Sequence, residues 1–258
     1  MQNKATSNGG DDEHAPVDRA TLSDALHRAL GLRMRPVALS FAAERPEQID
    51  AFSGEVPSAC AFWRRAEEKT FFAPAAAHDN CPIGALTMGF GMSEAQKAIL
   101  MDLVGKIGGM GYVDPAEAEN ILSVPGDKVG IVYGPLESFP MEPDVVLAWV
   151  TPSSAMLLAE ATGTSRWTAE QQGTSTYGRP SCGAIPIALK NEVATFSLGC
   201  TGMRTFTAVD ADLQLAVLPK SALPGLAQRL DAAASVNAQM QDYYTAQNAR
   251  FAPGAATA

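Results

Sequence analysis

Histidine is scarce in this chain. There are three in 258 residues, and one of them, His14, lies in a polar N-terminal stretch. A metal site built from histidines is limited by that supply. Charge is scarce as well, at 18% of residues, and leans to one sign: 28 acidic against 19 basic side chains give a formal net charge of −9. An acidic surface repels phosphate backbones and anionic headgroups, which argues against nucleic-acid binding and membrane-surface binding. Long apolar runs are missing. The best stretch, Val145 to Ala159, is interrupted by Pro152, Ser153 and Ser154 and falls short of the ~20 residues that cross a bilayer. The opening residues contain no apolar signal core, so a cytoplasmic location is expected.

The familiar catalytic signatures are also missing. The sequence contains no C-x-x-C, no H-E-x-x-H, no G-x-S-x-G and no Walker A loop. GKIGGMG (105–111) follows a helical pattern, whereas a dinucleotide fingerprint needs a strand before it. It reads as a helix stop, and no nucleotide site is expected.

Hydrophobic residues, by contrast, make up 47% of the chain, enough for a large core and too many for wholesale disorder. Residues 1–18 and 252–258 read as tails around a globular domain at 19–251. Within it, strand-like and helical patterns alternate, which indicates a mixed α and β fold. Strands are expected at 36–41, 69–73, 129–133, 144–150, 193–198 and 213–218. The first helix carries Leu22, Ala25, Leu26, Ala29 and Leu30 before Gly31. Short helices are expected from Cys60, from Cys81-Pro82, at 115–122 and at 154–161. A helix capped by Ser93 has the stripe Ala95, Ile99, Leu100, Leu103, Val104 and Ile107. Residues 163–181 read as a polar loop. A long last helix, 221–250, repeats Leu223, Leu226, Leu230, Ala233, Val236, Met240 and Tyr243 at steps of three and four, which predicts one buried face along it.

A weak internal repeat involves all four cysteines. In the first unit (about 36–90) an apolar strand precedes PSAC (57–60), a second strand, and NCPIG (80–84). In the second (about 143–205) a strand and a helix precede RPSC (179–182), a strand, and GCTG (199–202). The fold expected is therefore a single unit of two strand–Cys-helix–strand–Cys-turn halves closed by the long helix.

Cys60, Cys81, Cys182 and Cys200 each sit beside a turn or a helix start. Reduced thiols are expected in the cytoplasm, and four thiolates are the ligand count of an iron–sulfur cluster or a structural zinc. Buried apolar cysteine is the alternative reading. His78, three residues before Cys81, is a candidate metal or haem ligand or acid–base group, with a loop role as its alternative. Arg64, Arg179 and Arg204 lie near three of the cysteines and are candidates to neutralise an anionic cluster or hold a carboxylate. Trp63, Phe71, Phe72, Trp149, Trp167 and Met203 are candidates to line a pocket or to fill the core.

RPVALSF (35–41), the 60–90 segment from CAFWRRA to NCPIGALTMGF, PDVVLAWVTPSSAMLLAEA (143–161), PSCG (181–183 with Pro180) and SLGCTGMR (197–204) together resemble the DUF169 family. The similarity runs over about residues 20 to 235. It implies a stand-alone prokaryotic domain with the cysteines and the GC-x-G-x-R segment as family features, and it implies no reaction. The expectation carried forward is a cofactor-binding redox protein whose cysteines hold an iron–sulfur cluster. Two others stand beside it. One is a haem-dependent oxygenase acting on an apolar aromatic, with His78 or a cysteine as axial ligand. The other is a non-catalytic small-molecule binder with structural thiols. The partners expected are a small ligand or an electron-transfer protein, and a homo-oligomer is compatible with the sequence.

Overall fold

The computed structural model describes residues 17–112, 114, 116, 120–165, 174–176 and 180–251. The expected tails, apart from Val17 and Asp18, lie outside the described residues. So do most of the helix expected at 115–122 and much of the loop expected at 163–181.

Seven strands form one sheet: β1 (Val37–Ala42), β2 (Phe71–Pro74), β3 (Gly130–Pro135), β4 (Val145–Val150), β5 (Thr174–Thr176), β6 (Thr195–Ser197) and β7 (Gln214–Pro219). Their spatial order is β2-β3-β1-β4-β7-β6-β5. The first six are antiparallel throughout, and β5 joins the β6 edge in parallel. Alternate residues of a strand face opposite sides. Val37, Leu39, Ile131, Tyr133, Val145, Leu147, Leu215 and Val217 enter one core, and Ala38, Val132, Val146, Ala148, Ala216 and Leu218 enter the other.

The first core is covered by α2 (Ala61–Arg65), α3 (Pro82–Thr87), α6 (Ala184–Asn191) and α7 (Thr201–Thr207). The second is covered by α1 (Arg19–Leu30), α5 (Pro152–Ala161) and α8 (Leu226–Arg250). A further helix, α4 (Glu94–Gly109), rests on α3. A sheet covered on both faces explains why Val145–Val150 is apolar at every position. Helix ends follow the local chemistry. The Asp18 carboxylate accepts the Thr21 N–H to start α1, Gly31 ends it in the left-handed region at φ 59°, and Ser93 with Gln96 forms a capping box on α4.

The two halves share one topology. In each, a central strand (β1 or β4) is followed by a cysteine-bearing segment, an outer strand (β2 or β6), a cysteine-capped helix (α3 or α7), and a strand that returns between the other two (β3 or β7). Register agrees as well. Val37 lies opposite Pro135 as Val145 lies opposite Pro219, and each of those prolines leads into a short 3-10 turn. Phe72 lies opposite Val132 as Phe196 lies opposite Ala216.

The long helix departs from expectation. Only Leu226 and Leu230 of α8 are buried, while Val236, Met240 and Tyr243 are exposed. α8 has 25 residues and its neighbours α1 and α5 have 12 and 10. At ~1.5 Å per residue it outruns the layer it packs on, so its C-terminal half carries the apolar period without a surface to meet. No helix among the described residues is long and apolar enough to cross a membrane.

Candidate functional site: a cavity framed by four cysteines

Each cysteine stands where the chain turns into a helix. Cys60 caps α2, and Cys81 caps α3 with Pro82 at its first position, a place where the missing proline N–H costs nothing. Cys182 lies in the 3-10 turn Ser181–Gly183 that leads into α6. Cys200 caps α7, its Sγ accepting the Met203 N–H at 3.4 Å. All four are free thiols, Cys60 and Cys182 buried, Cys81 and Cys200 partly so. The halves interlock here. α2 packs on α7, and α3 packs on the Ser181–Gly183 turn, so each cysteine segment of one half meets one of the other.

All four cysteines border one cavity of about 510 Å³. Its wall also holds Ile83 and Leu86 from α3, Leu100, Leu103, Val104 and Ile107 from α4, and Met203 and Phe206 from α7. Among the described residues, no three His, Cys, Asp or Glu side chains gather closely enough to hold one metal ion. The thiols stand around a volume rather than meet at a point.

Short polar contacts fix the frame. The Ser58 hydroxyl lies 2.9 Å from Cys60 Sγ, and Asn80 Nδ2 donates to the Val56 carbonyl at 3.2 Å, tying the Cys81 turn to the Cys60 loop. In the second half the Ser181 hydroxyl accepts the Cys200 N–H, which ties those two cysteine turns together. Gly84 lets the first half close. A Cβ there would fall 2.6 Å from Ala59 Cβ and 2.9 Å from Cys81 Sγ.

Burial pushes the Cys60 thiol up to about 12, against a smaller downward pull from Ser58, with the Cys81 and Cys200 thiols adding to the rise. Burial also pushes Cys182 far up, with Cys81 the next cause. In the metal-free protein both are neutral thiols at neutral pH. A ligating cation must displace their protons.

The other candidates from the sequence lie elsewhere. His78 is buried with both ring nitrogens engaged, Nδ1 at 3.1 Å from the Pro74 carbonyl and Nε2 at 3.1 Å from the Tyr133 hydroxyl. A carbonyl only accepts, so Nδ1 carries the proton and Nε2 accepts the Tyr133 O–H. Burial lowers the His78 pKa to about 4. Burial raises that of Tyr133 well above its ordinary value, with Cys182, Cys60 and Cys81 as lesser causes. This neutral pair sits among Phe62, Phe71 and Phe90, outside the cavity wall.

Arg204 is also outside the wall. Its guanidinium donates to the carbonyls of Leu198, Asp210 and Leu213, clamping the turns on either side of α7. Arg64 pairs with Glu67 at 2.6 Å. Trp63 is fully buried beside Trp149, its Nε1–H without a hydrogen-bond partner. Phe71, Phe72 and Trp149 are core residues, and Met203 lines the cavity. Arg179 and Trp167 lie outside the described residues.

Sequence reasoning missed Ser58 and Ser181, although PSAC and PSC both display the serine. The apolar stripe expected on the helix after Ser93 lies on α4. Of that helix only Val104 is buried, and Ile99 is 56% exposed.

Fold and site together define a two-halved α+β protein with a cysteine-framed internal cavity. The chain belongs to the DUF169 family, described as uncharacterised ArCR, whose model matches residues 25–229. No curated protein and no solved structure gives a significant match.

Proposed function

We propose that this protein is a redox cofactor carrier in which Cys60, Cys81, Cys182 and Cys200 hold an iron–sulfur cluster. The observation that carries the reading is the placement of four free thiols, from four separate segments, around one cavity. Nothing in folding alone calls for that convergence, since buried cysteines pack equally well when scattered. Thiolate sulfur is the ligand such clusters use. A wall with no charged side chain among the described residues makes it costly to leave the cluster's charge unpaired, which favours a cluster of low net charge. His78 gives no support to a haem reading, because both of its ring nitrogens are engaged.

The test is a set of four single Cys→Ser variants prepared without oxygen. A hydroxyl is a poorer ligand for a soft metal, so each variant that removes a ligand should lose iron and visible colour while the protein stays folded. Loss at three positions but not the fourth assigns a cluster with one open iron. Four variants that all keep full iron content contradict the reading.

A further inference from the structure

The two halves build the cysteine frame alike, but one element on that side of the sheet has no counterpart. In the second half, residues 208–213 join α7 to β7. In the first, the equivalent connection from α3 to β3 runs over 88–129 and contains α4. Leu100, Leu103, Val104 and Ile107 of α4, at steps of i, i+3, i+4 and i+7, all line the cavity. A stripe of that spacing ordinarily seals against protein. Here Leu100, Leu103 and Ile107 stay only partly buried because they border open space.

We propose that the cavity takes a second occupant besides the cofactor: an uncharged, apolar small molecule seated against α4. The inference rests on the cofactor reading for what shares the cavity, and on the wall for the ligand's chemistry. Among the described residues the wall contains no Asp, Glu, Lys, Arg or His, so a charged ligand would give up its hydration with none of them to pair it. Each described hydroxyl of the wall already makes one contact within the protein. Ser58 contacts Cys60, Ser181 accepts the Cys200 N–H, and Tyr112 accepts the Thr201 N–H. What remains is aliphatic and aromatic surface from α3, α4 and α7. The volume of about 510 Å³ is that of a small-molecule site. Met101 and Phe206 belong to the wall yet are 68% and 45% exposed, so they mark the mouth. A symmetric frame for the cofactor and an added helix for the ligand is the division of labour this asymmetry describes.

The experiment titrates full-length, anaerobically prepared protein with N-phenyl-1-naphthylamine, a neutral fluorophore that brightens in apolar surroundings, and measures iron in the same samples. One saturable site per chain is expected. Leu103→Glu and Ile107→Glu, at partly exposed positions, should each weaken binding at least tenfold with the melting temperature little changed. Ile99→Glu and Met240→Glu, exposed and outside the wall, should leave it within twofold. Leu103→Trp, which fills the cavity without adding charge, should block the probe as well. No saturable binding by the native protein, or binding unmoved by all three wall variants, overturns the proposal. Iron without probe binding sinks this inference alone, and probe binding without iron sinks the cofactor reading alone.

Discussion

Ala38 and Val146 lie directly opposite each other where the two central strands meet, and the pairs on either side, Val37 with Leu147 and Leu39 with Val145, mirror one another. A register of this kind is what a twofold axis through the Ala38–Val146 pair would produce. The shared order of elements makes Cys60 the counterpart of Cys182 and Cys81 that of Cys200. Four thiols around one cavity are thus two positions used twice.

Close packing behind the frame gives the first prediction. Gly84→Ala forces a methyl against Ala59 and Cys81 and should destabilise the protein by about 1–3 kcal/mol, with loss of iron through displaced Cys81. Gly202→Ala is the control. It lies in the cavity wall, and its Cβ would meet only Phe206, at 3.8 Å. In a helix it should be neutral or stabilising by up to ~1 kcal/mol. Urea denaturation of the two variants checks the contrast.

The buried histidine predicts a pH dependence. His78 has a pKa of about 4 in the folded protein against ~6.5 when unfolded. Between those values the unfolded chain binds more protons, so folding stability is full above the higher one and falls as pH drops toward the lower. The loss is about 3 kcal/mol for the metal-free protein. His78→Gln should remove that part of the slope between pH 6.5 and 4.5 in denaturation curves, leaving the carboxylate contribution below it.

How much of this was legible in the sequence divides along physical lines. Period-two strands with both faces apolar, such as Val145–Val150, and capped helices, such as the one after Ser93, announce themselves through local chemistry. The two halves showed through PSAC and RPSC and through NCPIG and GCTG, because turns that present a cysteine need particular small and helix-starting residues. Facing was not legible where an apolar stripe had no guaranteed partner. Leu103 and Ile107 border a cavity, and Val236 and Met240 border solvent, yet each pattern reads like a core stripe. Roles of charged residues were equally hidden. Arg204 stands four residues from Cys200, but its guanidinium is drawn to the carbonyls of Leu198, Asp210 and Leu213, which sequence spacing does not reveal.

Arg204 therefore acts on the Cys200 turn through backbone. Arg204→Ala leaves those carbonyls without their charged donor and should cost about 1–3 kcal/mol of stability. Arg204→Lys keeps the charge but cannot span three carbonyls with a planar fork and should recover only part of it. Chemical denaturation reads both. Equal stability of all three proteins would remove the clamp from the account.

Thiol accessibility gives a further outcome. In the metal-free native protein, Cys81 and Cys200, which are partly exposed, should be alkylated before the buried Cys60 and Cys182. Thiolate, not thiol, is the reactive form, and the rise of Cys60 to about 12 slows it further. Peptide mass analysis over a time course gives the order. Once the cofactor is bound, all four should be protected.

The most direct test of the central claim is the iron and acid-labile sulfide content of the native protein, purified without oxygen after expression with iron supplied. The account predicts iron and sulfide in near-equal, stoichiometric amounts per chain, with a broad visible absorbance that bleaches on reduction. A colourless protein with neither element and four thiols titratable on unfolding would contradict it.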